Sequence, residues 1–126
     1  MTFLVDTNVF LEILLNRAKK ESCKRFLEKN IGELSITDFS LHSRGVILFR
    51  YNKKDLFIDF IKDVMPKVDL LSLPLRNYPD LLDVSKSSGL DFDDAYQYCV
   101  AECYSLKLAT LDSDFKKVKD SKVLFL

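Results

Sequence analysis

Phe3-Leu4-Val5-Asp6-Thr7-Asn8 is an apolar triplet cut short by three residues that favour helix starts. It reads as a buried strand handing over to a helix with the stripe Val9, Ile13 and Leu14. The same grammar recurs along the chain. Lys19 to Lys29 reads as a helix with Cys23, Phe26 and Leu27 inward. Leu34-Ser35-Ile36 reads as a strand, with Thr37-Asp38 capping a helix on which Phe39, His42, Val46 and Phe49 share a face. Lys53 to Met65 is helical up to Pro66, Val68 to Leu73 is β-prone, and Tyr78 to Lys86 is helical before a stop at Gly89. Asp91 to Leu106 is the most regular helix, with the stripe Phe92, Ala95, Cys99, Cys103 and Leu106. Leu108 to Leu111 and Val123 to Leu126 complete the strands. Short apolar strands alternating with helices predict an α/β fold, a three-layer α/β/α sandwich around a mainly parallel sheet, with residues 1–126 as a single domain.

Composition narrows the chemistry. The chain has 126 residues, 48% of them apolar and 30% charged, which is a soluble globular mixture. Its 19 basic residues balance 19 acidic ones, so any contact with nucleic acid rests on local features and not on bulk charge. The three glycines are scattered, which excludes a phosphate-cradling glycine loop and argues against a nucleotide-binding or receiver domain. One histidine, His42, excludes a multi-histidine metal site. Three cysteines without a Cys-x-x-Cys pair suit a reducing compartment, and Cys99 and Cys103 read as packing residues of their helix. No run looks like a signal peptide or a membrane span, so the expectation is a cytoplasmic protein with no membrane partner.

The carboxylates carry the functional signal. Asp6 and Asp112 each follow an apolar strand, Asp114 lies just beyond, and Asp94 sits in the first turn of a helix. In a parallel sheet the C-terminal strand ends share one edge, where ligand crevices form, so residues far apart in sequence meet there. Converging carboxylates repel one another, and a divalent cation resolves the repulsion. Mg²⁺ or Mn²⁺ held by such oxygens activates water and offsets charge on a departing phosphate oxygen, which points to phosphodiester hydrolysis. Read singly, the same acids are good helix caps. Asp91, Asp94 and Tyr98 fall on one flank of their helix, with Asp93 pointing away and Tyr98 the aromatic best placed to stack on a base. Arg44, Arg50, Lys53 and Lys54, and separately Lys116, Lys117, Lys119 and Lys122, are the basic residues available for RNA phosphates.

Val5-Asp6-Thr7-Asn8, Asp91-Phe92-Asp93-Asp94-Ala95 and Thr110-Leu111-Asp112-Ser113-Asp114-Phe115, in this order, resemble the PIN domain family, in its small VapC-like toxin form. The resemblance covers essentially the whole chain and implies a metal-dependent endoribonuclease with an RNA substrate, a homodimer, and an antitoxin as partner. It implies that Asp6, Asp94 and Asp112 are catalytic and hold Mg²⁺ or Mn²⁺, with Asp114 as an additional ligand. Asn8 looks like the polar residue that orients the first aspartate, and His42, Arg44 and Asp91 are further residues around the site or the substrate. One departure stands out. The family's helix glutamate is missing from Ser40-Leu41-His42-Ser43-Arg44-Gly45, where His42 takes its place. An imidazole suits Mn²⁺ better than Mg²⁺. The departure opens an alternative, a catalytically degenerate PIN-like module that binds RNA or protein without cleaving. His42 also reads as a core-lining residue, bonded to Asp38 or to a backbone carbonyl.

Overall fold

The computed structural model describes residues 2–118 and 122–126. Five parallel strands, β1 (Phe3–Val5), β2 (Leu34–Thr37), β3 (Asp69–Leu71), β4 (Lys107–Thr110) and β5 (Val123–Phe125), form one sheet in the order β3-β2-β1-β4-β5. Between them run α1 (Thr7–Leu14), α2 (Lys20–Lys29), α3 (Asp38–Arg50), α4 (Lys54–Asp63), α5 (Tyr78–Ser88) and α6 (Phe92–Cys103).

Side-chain alternation along β1 builds the layers. Leu4 joins a core with Leu108 and the α5 and α6 residues Leu81, Ala95 and Cys99. Val5 joins the opposite core with Ile36, Val9, Cys23 and Phe60, from α1, α2 and α4. Both β1 residues are fully buried, and burial stabilises the fold by about 1.5–3 kcal/mol for each such side chain. The result is the expected α/β/α sandwich. The strand order reverses at β1, since β2 and β3 lie to one side and β4 and β5 to the other. In open parallel sheets that reversal leaves a crevice beyond the strand ends.

Three helix faces differ from the sequence expectation. The inward line of α3 is Ser40, Arg44 and Leu48, while His42, Val46 and Phe49 are exposed. Thr37 caps α3 by accepting from the Ser40 amide at 2.8 Å, and Thr7 donates to the Ser40 hydroxyl at 2.7 Å. These bonds turn the Ser40 line inward and swing Val46 and Phe49 outward, while Phe39 stays half-buried against the core. Gly45 lets α4 approach, since a Cβ there would lie 3.2 Å from the Phe57 ring. On α6 every residue from Ala95 to Ala101 is buried, and of the expected stripe Ala95, Cys99 and Leu106 are buried while Phe92 and Cys103 are exposed. On α5, whose helical spacing runs through Leu81, Leu82 and Ser85, Leu81 is buried and Leu82 is not. Gly89 ends α5 in the left-handed conformation, with φ 81°, which suits a residue without a Cβ.

Candidate functional site

The crevice beyond β1 and β4 is a cleft of about 240 Å³. The acids Asp6, Asp93, Asp94 and Asp112 line it with Asn8, Ser43 and Gln97. Asp6 terminates β1 in extended conformation and caps α1, and its amide donates to the Ala109 carbonyl of β4 at 2.9 Å. The alternation that turns Leu4 toward α6 turns Asp6 the same way. Its Oδ1 accepts from the Thr7 amide at 2.8 Å and Gln97 Nε2 at 3.1 Å, and its Oδ2 accepts from the Thr110 hydroxyl at 2.7 Å. Thr37 donates to Gln97 Oε1 at 2.7 Å, which ties the carboxylate to β2. Burial raises the Asp6 pKa, and the three bonds oppose it.

Asp94, Asp112 and Asp114 form the tightest acidic group. One carboxylate oxygen from each lies within 4.8 Å of the others. Asp112 follows β4 and caps a short 3₁₀ turn, Ser113–Lys117, accepting from the Asp114 amide at 2.9 Å. Its own amide donates to Thr110 Oγ1 at 3.0 Å, so one threonine steadies both Asp6 and Asp112. Partial burial, with Asp91, Asp112, Asp6 and Asp114 nearby, pushes Asp94 up to about 7. Clustered carboxylates that disfavour each other's ionisation are a donor set fitted to a hard divalent cation.

The remaining expected residues fall elsewhere. Asp6 reaches the cleft but stands outside the tight group of three. Asn8 lines the cleft, yet its side chain accepts from the Leu111 amide at 3.3 Å, bracing the loop before Asp112, and Gln97 and Thr110 hold Asp6 instead. Asp91 caps α6 by accepting from the Asp94 amide at 3.0 Å, and Asp93, expected to point away, lines the cleft. Tyr98 faces a different hollow, with Val84, Lys117 and Val118, because the turn of α6 carries it behind Asp94. His42 is exposed outside the cleft, and the α3 residues on the cleft wall are Phe39, Ser43 and Ile47. His42 therefore neither enters the acidic group nor lines the core.

Arg44 is withdrawn from any substrate. It is fully buried, with its guanidinium carbon 4.5 Å from the Phe10 ring centre and 4.0 Å from that of Phe60. No described residue offers its three nitrogens a hydrogen bond. Burial lowers its pKa to about 9, and Asp6 opposes the shift. Of the other basic residues, Arg50, Lys53, Lys54, Lys116, Lys117 and Lys122 are exposed, while Lys119 lies outside the described residues.

Gln97 is the site residue that the sequence reading missed. Its place one turn after Asp94 carries no signal of its own, since its role comes from the contacts that α6 makes with β1 and β2.

A five-stranded parallel sheet with a carboxylate-lined cleft at its point of strand reversal defines an α/β/α domain whose acidic crevice lies where open parallel sheets form ligand sites. The PIN domain family model matches residues 3–121, and the chain belongs to the PIN domain family. Solved structures share the fold. A toxin–antitoxin complex from Klebsiella pneumoniae is 17% identical with a TM-score of 0.79, covering 98% of this chain and 96% of that one. VapBC2 from Rickettsia felis, bound to a DNA fragment from its promoter, is 15% identical with a TM-score of 0.79, covering 99% and 98%. VapC20 from Mycobacterium tuberculosis, a sarcin–ricin loop cleaving toxin, is 14% identical with a TM-score of 0.76, covering 91% and 93%. No curated protein sequence matches the chain. No helix among the described residues is long and apolar enough to cross a membrane.

Proposed function

We propose that this chain is a divalent-metal-dependent endoribonuclease of PIN type, the toxin of a cytoplasmic toxin–antitoxin pair, and that it works as a homodimer. The observation that carries the reading is the group Asp94, Asp112 and Asp114, with oxygens within 4.8 Å of one another at the strand reversal. These three residues, with Asp6 beside them, would hold Mg²⁺ or Mn²⁺. When bound there, such an ion supplies Lewis acidity, activating water and offsetting charge on the leaving phosphate oxygen. A cation would favour the ionised form of Asp94, which partial burial and the neighbouring carboxylates make costly without one. Gln97 and Thr110 act as positioning residues that fix Asp6. RNA as substrate and an antitoxin as partner come from the likeness to VapC20 and to the toxin–antitoxin complexes.

The test is cleavage of a mixed RNA substrate with Mn²⁺, with Mg²⁺ and with chelator, comparing the native chain with Asp94→Asn. Metal-dependent cleavage that disappears in the variant is the expected result. One observation favours the second reading, a module that binds without cleaving: α3 brings Ser43, and no acid, to the cleft wall. Calorimetry separates the two readings. Mn²⁺ binding abolished by Asp6→Asn supports the enzyme, and no binding at millimolar Mn²⁺ supports the module.

A further inference from the structure

Beside the acidic cleft lies a second hollow of about 380 Å³, lined by Asp38, Phe39, His42, Tyr78, Phe92 and Tyr96. Phe39 lines both spaces, so they share a wall. The first turn of α6 serves both as well, with Phe92 in the hollow and Asp93 and Asp94 in the cleft. Tyr96 is the fixed centre. Its hydroxyl donates to Asp38 Oδ1 at 2.8 Å and accepts from the Leu73 amide at 3.0 Å. Around it stand Phe39 at 5.9 Å, Tyr78 at 6.2 Å and Phe92 at 6.4 Å between ring centres, Phe92 nearly parallel to it at 25°. Phe92 is 57% exposed and Tyr78 39% exposed, so these rings present apolar faces to solvent that the core does not use.

We infer that this hollow seats the unpaired base of a nucleotide flanking the phosphodiester in the cleft, an inference that rests on the ribonuclease reading above. Aromatic faces accept any base, and such stacking is the usual means of gripping single-stranded RNA. The rim selects base over phosphate. The Asp38 carboxylate repels a phosphate, and with Oδ1 taken by Tyr96 and the Phe39 amide, Oδ2 is turned over to an N–H of a base edge. His42 stands exposed on the same rim to donate or accept. The charge balance favours a contact of this kind. The chain has no net charge and Arg44 is buried, so bulk attraction to the backbone is absent, and stacking adds a short-range grip beside the phosphate contacts open to exposed residues such as Arg50 and Lys54.

The experiment uses a single-stranded octaribonucleotide carrying 2-aminopurine, with the full chain and chelator present so that nothing is cleaved. The native chain is expected to quench the 2-aminopurine fluorescence. Phe92→Leu, which keeps apolar bulk but not the ring, is expected to bind on the order of tenfold more weakly with the quench lost. Phe92→Trp is expected to restore both. Equal quenching by native chain and Phe92→Leu overturns the inference. So does conversion of a dimer to a monomer by Phe92→Leu in sedimentation, which would mean that a second copy of the chain covers the hollow. Quenching lost in Phe92→Leu while cleavage is absent under every metal upholds the hollow and removes the ribonuclease. Metal-dependent cleavage without quenching by the native chain does the opposite.

Discussion

Asp6 and Arg44 are both ionisable side chains that the fold buries, Asp6 on the cleft wall and Arg44 completely, and the protein treats them in opposite ways. Asp6 is gripped by three donors, one from the backbone and two from side chains on α6 and β4. Arg44 lies between two phenylalanine rings, with no hydrogen-bond partner for any of its nitrogens among the described residues. A satisfied buried polar network fixes geometry, whereas an unsatisfied buried ion is a net cost that ring contacts offset only in part. The cleft is therefore the rigid half of the polar interior. The Arg44 side is where the fold gives up stability.

The largest expected effect is on activity. Asp112→Asn removes the negative charge of one of the three converging groups, while its amide oxygen can still cap the Ser113–Lys117 turn. Cleavage should fall about 100-fold or more, since losing even a partner of a metal ligand costs 10–100-fold. Initial rates with saturating Mn²⁺ check this, and a loss under about threefold would take Asp112 out of the machinery. Next comes Gln97→Leu, which takes the acceptor from the Thr37 O–H, whose oxygen still accepts from the Ser40 amide, and removes one donor from the Asp6 carboxylate. We expect a loss of about 2–4 kcal/mol in urea unfolding, because each orphaned buried group costs roughly 1–3 kcal/mol. Arg44→Met reverses the sign. Replacing an unpaired buried cation by an apolar chain of similar length should leave stability unchanged or raise it by about 1 kcal/mol or more. A loss of about 3 kcal/mol there would show that the guanidinium has a strong partner and would erase the contrast.

The contrast also explains what the sequence made legible. Asp6, Asp94 and Asp112 could be anticipated as neighbours because each sits at an element end, where a local pattern of apolar run and polar stop names the position. Gln97 could not, because nothing local separates it from any other polar residue on a helix. Its role depends on β1 and β2 arriving beside α6. Arg44 and His42 were misplaced for one shared reason. The apolar spacing of Phe39, Val46 and Phe49 suggested a buried face, but the Thr37–Ser40–Thr7 bonds set the rotation of α3 the other way. Polar bonds at a helix start outweighed apolar periodicity along its length, and periodicity was all that the sequence displayed.

The smallest effect tests the acidic side through pH. Asp94 is held at about 7 in the folded chain against an ordinary 3.8. The folded state therefore binds the proton more tightly than the unfolded state between those values, and stability falls as pH rises through that window. Asp6, also raised, adds a slope of the same sign. Without divalent metal the melting temperature should drop between about pH 4 and pH 7, by a few degrees once solvent screening of the half-buried Asp94 is allowed for. Asp94→Asn should flatten most of that slope and Gln97→Leu should not, because the slope belongs to the burial of Asp94 and, after it, to the carboxylates around it, and not to the hydrogen-bonded network. Mn²⁺ should remove the slope in the native chain by binding the ionised acids. A melting curve that rises from pH 4 to pH 7 in chelator would mean that the acids are paired with cations already, and the cleft would no longer need a metal.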